Sequence, residues 1–471
     1  MSLHEPVART FTRKLLAPVL LSAAAACLAA APARAQSGLG ERVERELPAL
    51  VSTYKHLHAN PELSHQEAKT AALVAKELRA LGYEVTENVG KYRRPGWKSY
   101  GVVGVLKNGA GPTVLVRADM DALPYDPERG EQTGLPYASK VKAVDDDGKT
   151  VSVMHACGHD AHVASLLGTA RLLAGMRESW AGTLVLVAQP SEEKIDGALA
   201  MLDDGLYTRF PKPDAALALH VKADLEAGRV GVVAGAALAN STTVLIKVRG
   251  RGSHGSRPED SIDPVVIAAE LVLSLQTIVS RENKPTEPAV VTVGSIRGGE
   301  APNIIPNEVD LKLTVRSYDR AQHRKILEAI RRRAVNIAEA AGVTPDLLPE
   351  VTFVEPDAEV VYNDPALTER LTEVFRRELG GGNVERVEKI MGAEDFSRYA
   401  AAEVFARYGL AREVPISLFW VGAADPARLA EARKAGRLPT THQTTFAPVP
   451  EPTIRTGVRA MTAAVLELLK K

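Results

Sequence analysis

The segment from Thr113 to Asp121 reads TVLVRADMD, an apolar run that ends in two acids. Two later segments share its apolar character, Thr183–Ala188 (TLVLVA) and Ala215–Leu219 (AALAL). Continuous apolar runs of this length are typical of strands that are buried on both faces of a parallel sheet. The sequence therefore predicts an α/β fold that is built on a mostly parallel sheet.

Chemically active side chains follow each of the three runs. Asp119 and Asp121 follow the first run, Glu192 and Glu193 follow the second, and His220 follows the third. Ligands of open α/β sheets bind outside the carboxyl ends of the strands, so these side chains should meet at one rim. The set has metal-binding character and predicts a metal site there. For Asp119, a structural hydrogen-bonding role is as good an interpretation as a ligand role.

The segment Met154–Gly168, MHACGHDAHVASLLG, supplies further ligand types. Cys157 and His159 are two residues apart and cannot share one helix face, so we expect them in a loop that leads into a helix at about Asp160. A thiolate and an imidazole at the head of a buried helix suit a transition metal. The alternative is a buried free cysteine beside structural histidines.

The composition is that of an ordinary globular protein with room for more than one core. The chain has 471 residues, of which 45% are hydrophobic and 25% are charged, and two domains are the natural expectation. Lys and Arg total 58, as do Asp and Glu, so no basic excess points to a nucleic-acid partner.

Residues 1–35 have the pattern of a secretory signal peptide. Basic residues precede an apolar stretch that ends in the small-residue site Ala33-Arg34-Ala35. We therefore expect an exported protein, periplasmic or secreted, with no membrane association after cleavage. A transmembrane anchor and a lipoprotein signal at Cys27 are the alternatives. Cleavage leaves Cys157 as the only thiol, and an unpaired thiol in an oxidising compartment favours a metal ligand.

The order of the predicted elements indicates a second domain that is inserted into the first. Between residues 239 and 355 the pattern reads strand, helix, strand, strand, helix, strand, which is the ferredoxin-like β-α-β-β-α-β arrangement. Asp263-Pro264 is the expected N-cap and first position of the first helix. The catalytic domain is then discontinuous and comprises residues 36–238 and 356–471.

The motifs of the chain resemble those of the N-acyl-amino-acid amidohydrolases, which include hippurate hydrolase and the auxin-conjugate hydrolases. These enzymes form a subfamily of the two-metal aminoacylase and carboxypeptidase superfamily. The resemblance spans the mature chain in order. The matching segments are RADMDALP from Arg117, MHACGHDAH from Met154, QPSEE from Gln189, ALH ending at His220, GSHGS around His254, Asp263-Pro264, APNIIPN from Ala301, GAEDF from Gly392 and the late His442.

The resemblance implies a metallopeptidase-like catalytic domain with two divalent metal ions per subunit. Zinc, manganese, cobalt and nickel all suit such a ligand set. It also implies that Glu192 is the general base, and that the inserted domain is a lid and the dimerisation surface of a homodimer. The implied metal ligands are Cys157, His159, Glu193, His220 and His442.

Further residues are assigned to the reaction or to the fold. The resemblance implies that Asp121 orients a ligand imidazole and that His254 and Asn303 reach the substrate. His254 is suited to donate to the developing oxyanion, and Asn303 and Arg316 to hold a substrate carboxylate. The remaining histidines are assigned to structure or surface: His56, His58, His65, His155, His162 and His323.

Two stretches, residues 122–150 and 422–441, are expected to be loops. Residues 91–98 and 140–153 look longer than is usual in the family that the chain resembles. The sequence alone gives these extensions no role.

The predicted function is hydrolysis of the amide bond in N-acyl or N-aroyl amino acids, or in small peptides. Two metal ions can activate water and polarise the carbonyl, while a carboxylate transfers the proton to the leaving amine. The alternatives are a dipeptidase or carboxypeptidase of the same superfamily, a thiol hydrolase that uses Cys157, and a non-catalytic metal- or peptide-binding protein.

Overall fold

The computed structural model describes residues 33–400 and 413–471. The predicted signal peptide and Cys27 lie outside the described residues, apart from residues 33–35, and export stays a prediction. The helices are α1 (Ala33–Ala59), α2 (Ala68–Ala80), α3 (His159–Ala174), α4 (Gly197–Asp203), α5 (Leu206–Arg209), α6 (Pro264–Thr277), α7 (Arg320–Ala340), α8 (Pro365–Leu379), α9 (Pro426–Lys434) and α10 (Pro450–Leu468). The strands are β1 (Glu84–Val89), β2 (Gly101–Asn108), β3 (Thr113–Asp119), β4 (Leu123–Tyr125), β5 (Lys142–Val144), β6 (Thr150–Met154), β7 (Gly182–Gln189), β8 (Ala215–Glu226), β9 (Val230–Val232), β10 (Gly235–Leu238), β11 (Asn240–Arg249), β12 (Ser253–His254), β13 (Ala289–Arg297), β14 (Ile304–Ile305), β15 (Glu308–Ser317), β16 (Glu350–Ala358), β17 (Val361–Asn363), β18 (Val384–Arg386) and β19 (Ile416–Ala424).

The larger sheet has eight strands in the order β1-β2-β7-β3-β8-β19-β9-β18. Its central strands β7, β3, β8 and β19 are parallel to one another. Towards the edges the sheet becomes mixed, because β1 pairs with β2, β2 with β7, and β9 with β19 in antiparallel fashion. The three apolar runs are therefore neighbouring parallel strands, and the predicted α/β fold class is confirmed.

Helices cover both faces of this sheet, which explains why its central strands are apolar throughout. Side chains alternate between the two faces along β3, so Val114 and Val116 join one hydrophobic core and Leu115 joins the other. The first core includes residues of α1, α2, α3, α8 and α10. The second core includes residues of α4 and α5.

The smaller sheet has four antiparallel strands in the order β13-β15-β11-β16. In chain order its elements are β11, α6, β13, β15, α7 and β16, which is the β-α-β-β-α-β arrangement that the sequence predicts. The Asp263 side chain caps α6 by accepting a hydrogen bond from the Val265 backbone at 2.8 Å, and Pro264 follows the cap. Residues of both helices pack on this sheet in a separate core.

The two predicted loops contain regular structure, and both predictions are wrong in part. Residues 122–150 contribute β4, β5 and part of β6 to a three-stranded sheet. These strands are only three to five residues long, which is too short to show a periodic pattern in the sequence. Residues 422–441 contain α9, which Asp425 caps by accepting from the Arg428 backbone at 2.9 Å.

Candidate metal centre

The five predicted metal ligands come together at the carboxyl ends of the central strands. Cys157 lies in the turn between β6 and α3, and His159 is the first residue of α3. Glu193 follows β7, and His442 lies between α9 and α10. His220 lies within β8, not after it, because β8 continues to Glu226 beside β19.

The donor atoms of the five predicted ligands form two groups that share one sulfur. Cys157, His159 and His220 form one group, and Cys157, Glu193 and His442 form the other, with all donor atoms of a group within 4.8 Å of one another. The Cys157 sulfur is 3.4 Å from His220 Nε2 and 3.3 Å from His442 Nε2. A thiolate at this position would contact both members of a pair of cations.

Hydrogen bonds to two ligand imidazoles leave the correct nitrogen free for a cation. His159 Nδ1 donates to the Asp121 carbonyl at 2.8 Å, and His220 Nδ1 donates to the Val221 carbonyl at 2.7 Å. In each ring the bare Nε2 then faces the donor group. Within the described parts of the chain, His159 Nε2 and Glu193 Oε1 are buried without a hydrogen-bond partner. Such atoms are costly in a protein interior, and a divalent ion would satisfy both.

The Cys157 thiol needs a cation to ionise. Burial raises its pKa well above the usual range, and the carboxylates of Glu193 and Glu192 raise it further. A bound divalent ion reverses this balance, because metal ligation deprotonates a thiol. A buried cysteine among imidazoles and carboxylates therefore fits a metal site better than it fits a free thiolate nucleophile.

His442 is the least enclosed of the five predicted ligands. Its side chain is 52% exposed, and its Nε2 is 3.5 Å from Glu193 Oε1. Its backbone has a φ of +63°, which is uncommon for a residue other than glycine. The His442 amide donates to the Ala156 carbonyl at 2.8 Å, which ties the segment to the turn that carries Cys157.

Asp121 holds the backbone of the two adjacent glutamates. Its carboxylate accepts from the Glu192 amide at 3.1 Å and from the Glu193 amide at 3.0 Å. Ser191 and Ile195, on either side of the pair, both have positive φ values, +52° and +59°. The Asp121 carbonyl also holds the His159 ring, with the carboxylate oxygen farther away at 3.4 Å. Asp121 therefore positions both a ligand imidazole and the loop that carries Glu192.

Glu192 and Glu193 also form a group of possible donors with His159. His159 Nε2 is 3.8 Å from a Glu192 oxygen and 4.0 Å from a Glu193 oxygen. Burial raises the pKa of Glu192 well above its ordinary value, and the Glu394 carboxylate raises it further. Burial likewise raises the pKa of Glu193 to about 8, against the opposing effect of His159. A carboxylate with a raised pKa is suited to proton transfer near neutral pH.

Sequence reasoning missed a buried ion network behind this loop. Arg117 donates to Asp119 at 2.7 Å, to Glu394 at 2.8 Å and to Asp395 at 2.9 Å. It also donates to the Gln189 side chain at 2.9 Å, at the end of β7. The motifs RADMDALP, QPSEE and GAEDF contain these residues, but their pairing across the chain is visible only in the fold.

Asp119 and His162 form a further group of possible donors with His159, but hydrogen bonds already engage both side chains. His162 Nδ1 donates to Asp119 at 2.6 Å, and His162 Nε2 accepts from the Val221 amide at 2.9 Å. Both ring nitrogens are therefore used. Because Val221 follows His220, this contact also positions a ligand-bearing strand.

The segment from His58 to Glu67, HANPELSHQE, also supports the site and was missed. The Ser64 hydroxyl donates to Asp121 at 2.7 Å, and Glu67 accepts from the Ser191 amide at 2.8 Å. The ring of His65 lies against Trp97 of the extended loop 91–98, with centroids 3.7 Å apart. The concentration of polar residues around Pro61 is the feature of the sequence that could have identified this segment.

The predicted substrate residues lie on the inserted domain. His254 is exposed on β12, which pairs with β14 next to Asn303, and Gly255 donates to the Asn303 carbonyl at 2.8 Å. Their described contacts lie within that domain. Arg316 instead reaches the catalytic domain, where it donates to the Met391 carbonyl at 2.6 Å. Burial lowers the pKa of His442, and the positive charges of His159 and Arg316 lower it further.

The chain is similar to known hydrolases and to a solved metal-binding peptidase. The chain is 37% identical over 364 residues to the hippurate hydrolase of Campylobacter jejuni, which covers 77% of this chain and 88% of that protein. It is 34% identical over 353 residues to thermostable carboxypeptidase 2 of Saccharolobus solfataricus, which covers 74% of this chain and 82% of the relative. Its fold matches a dinuclear metal-binding M20 peptidase from Bacillus subtilis with a TM-score of 0.68 and 27% identity, over 90% of this chain and 99% of that one.

The fold and the shared donor groups define a hydrolase that uses two divalent metal ions. The chain belongs to peptidase family M20/M25/M40, whose family model matches residues 115–417. The predicted family resemblance, enzyme class and metal requirement are thereby confirmed.

Proposed function

We propose that this hydrolase cleaves the amide bond of N-acyl or N-aroyl amino acids, with Glu192 as the general base. The observation that carries the proposal is the division between two adjacent carboxylates. Glu192 and Glu193 both lie in a donor group with His159, but only Glu193 also lies in a group with Cys157 and His442. The Glu192 side chain is 3.8 Å from His159 Nε2 and is 5% exposed. The similarity to a hippurate hydrolase supports the N-acyl amino acid as substrate.

Different residues of the chain carry out different parts of the reaction. When bound, the two divalent ions supply Lewis acidity toward the scissile carbonyl and the attacking water. The Glu192 carboxylate accepts the proton of that water and returns it to the departing nitrogen. The Asp121 carboxylate accepts a hydrogen bond from the Glu192 amide and so keeps Glu192 in place. Cys157, His159, Glu193, His220 and His442 would hold the ions.

The inserted domain supplies the substrate contacts in this proposal. His254 donates to the developing oxyanion, and Asn303 and Arg316 hold the substrate carboxylate. The adjacency of His254 and Asn303 and the reach of Arg316 to Met391 support these roles. The domain would then act as a lid over the metal centre.

A carboxypeptidase or dipeptidase activity is the second candidate, and the similarity to thermostable carboxypeptidase 2 favours it. Both activities use the same site and differ in the group on the acyl side of the bond. Parallel rates on N-benzoylglycine, N-acetyl amino acids and dipeptides separate them. Faster cleavage of dipeptides than of every N-acyl amino acid tested would overturn the first assignment.

Glu192→Gln tests the general base. The amide keeps the shape of the side chain but cannot accept a proton, so kcat should fall by about 10²–10⁴-fold while both metal ions remain bound. Turnover of N-benzoylglycine and metal content by mass spectrometry are measured on the same preparation. Glu388→Gln, an exposed and chemically matched change, is the control. Wild-type turnover by the Glu192 variant would refute the assignment.

We further propose that the enzyme is an exported homodimer. The face of α6 opposite its core carries exposed Val265, Val266 and Leu273, which are 43%, 54% and 73% exposed. The segment Pro264–Glu282 has a mean hydropathy of 1.4, sufficient by length and composition for a membrane span, yet one side of it packs in the inserted core. An exposed apolar patch of this kind supports a protein contact.

Leu273→Glu tests the dimer by sedimentation. The variant should be monomeric where the wild type is dimeric, and a monomeric wild type at micromolar concentration would contradict the proposal. The signal pattern of residues 1–35 and the single mature thiol support export. Fractionation of cells that express the full chain tests it, and retention of the uncleaved protein in the cytoplasm would contradict it.

A further inference from the structure

A buried histidine outside the metal site connects two of its ligand-bearing segments. His58, near the end of α1, has a fully buried side chain. Its Nδ1 is 2.6 Å from an Asp160 oxygen, and its Nε2 is 3.1 Å from a Glu131 oxygen. Because each ring nitrogen faces a buried carboxylate oxygen, both nitrogens donate and the ring is an imidazolium. Burial alone would lower the pKa of His58, but the two carboxylates outweigh it and raise the pKa to about 10.

One end of this bridge is fixed to the ligand helix. Asp160 follows the metal ligand His159 in the first turn of α3, and its second oxygen accepts from the Ala161 amide at 2.8 Å. Asp160 is fully buried and cannot move without disturbing that turn. His58 is therefore anchored one residue from a metal ligand but does not contact the ligand itself.

The other end closes the loop 131–139. Glu131 accepts from the Ser139 amide at 2.6 Å and from the Thr133 hydroxyl. Ser139 in turn donates through its hydroxyl to the Val153 carbonyl at 2.7 Å. The Tyr137 ring packs edge-on against His58, with centroids 5.5 Å apart. His58 thus holds the loop through Glu131 and through contact with an aromatic ring.

The loop then reaches the segment that carries the most exposed ligand. The Gln132 amide donates to the Thr444 carbonyl at 2.7 Å, two residues beyond His442. His442 is 52% exposed and has left-handed backbone geometry, which is unfavourable for a non-glycine residue. Neither burial nor backbone preference holds it in place. The segment is instead held by the hydrogen bond from the His442 amide to Ala156 and by the contact of Thr444 with loop 131–139.

We propose that His58 is a positioning residue that bridges Asp160 and Glu131 and thereby holds His442 against the metal pair. The path runs from His159 through Asp160, His58, Glu131, Gln132 and Thr444 to His442. It joins a ligand of one donor group to a ligand of the other. The proposal rests on the assigned metal pair and is independent of the substrate.

The test measures the affinity of each metal equivalent separately. Zinc-loaded full-length protein is equilibrated against a graded zinc chelator, and bound zinc per chain is measured by mass spectrometry. In His58→Gln one equivalent should dissociate about 10–100-fold more readily while the other keeps its wild-type affinity, the range found for groups that orient metal ligands. His56→Gln, an exposed histidine on the same helix, is the matched control and should match the wild type.

Two further variants separate positioning from a general structural effect. Glu131→Gln breaks the same bridge from the loop and should weaken the same equivalent, including in the case that His58→Gln does not fold. In a His442→Ala background, His58→Gln should cause no additional loss, because the residue that it positions is already absent.

Three outcomes would overturn the proposal: wild-type affinity for both equivalents in His58→Gln and Glu131→Gln, equal weakening of both equivalents, or additive losses with His442→Ala. Turnover of N-benzoylglycine by the wild-type enzyme is measured alongside. Failure of that turnover would count against the proposed substrate and would leave the zinc results to decide the role of His58.

Discussion

Replacement of Arg117 by methionine should destabilise the catalytic domain by an amount that follows from its contacts. Arg117 is within 2.7, 2.8 and 2.9 Å of Asp119, Glu394 and Asp395, and all four side chains are at most 1% exposed. Removal of one partner from a buried ion pair costs about 3–5 kcal/mol, because the other charge stays buried without compensation. The unfolding entropy of a 471-residue chain is about 1 kcal/mol/K, so Tm should fall by about 3–5 °C at pH 8.

The loss should be smaller at acid pH. In the variant, Asp395 loses the cation that opposes its desolvation, so its folded-state pKa rises further above the unfolded value. In the wild type, burial already raises the pKa of Asp395, and the charge of Arg117 opposes that rise. A carboxyl group with a raised folded pKa destabilises the fold when it is ionised, and this penalty is relieved as pH falls through that pKa. The Tm difference should therefore decrease between pH 8 and pH 5.

Scanning calorimetry at both pH values measures the effect. Arg386→Met is the control, because Arg386 makes an exposed ion pair with Glu369 at 2.7 Å. Exposed pairs contribute at most about 1 kcal/mol, so the control should shift Tm by no more than about 1 °C. A Tm for Arg117→Met within 1 °C of wild type at pH 8, or a larger loss at pH 5, would refute the reasoning.

Three further predictions concern the metal centre and its support. Gly158→Ala should weaken metal binding in a zinc titration. Gly158 lies between two predicted ligands and has a φ of +87°, and an added Cβ would lie 2.5 Å from a Val221 methyl group. Unchanged zinc affinity would contradict this. Complete chelation should abolish turnover and added zinc or manganese should restore it, whereas full activity in chelated protein would favour a thiol nucleophile at Cys157. Folding raises the pKa of His58 from 6.5 to about 10, so the stability that His58 contributes should be complete below pH 6.5 and lost as pH rises to about 10. A Tm difference between wild type and His58→Gln that is constant from pH 6 to pH 10 would contradict this.

The sequence allowed prediction of those features in which one local pattern carries the information. The apolar run before Asp119 and Asp121 marks a doubly buried strand, and the rule that ligands bind at the carboxyl ends of strands then places several acids and imidazoles together. The N-cap at Asp263 is equally local. Family resemblance supplied His442, whose position depends on a segment far along the chain.

Other features depend on contacts between distant residues and could not be read from local patterns. The bridge from Asp160 through His58 to Glu131 joins residues 73 and 102 positions apart. The partners of Arg117 at Glu394 and Asp395 lie 277 and 278 positions away. The spacing of residues within one motif says nothing about such distant pairs, so the sequence assigns His58 only to structure or surface and gives Arg117 no role.

Anomalous diffraction from crystals of the metal-loaded protein tests most directly whether one site holds two ions. We expect two peaks per chain, with donor atoms at about 2.0–2.3 Å. One peak should contact His159 and His220, the other should contact Glu193 and His442, and the Cys157 sulfur should contact both. A single peak, or peaks beyond the reach of these side chains, would contradict the assignment of the metal centre.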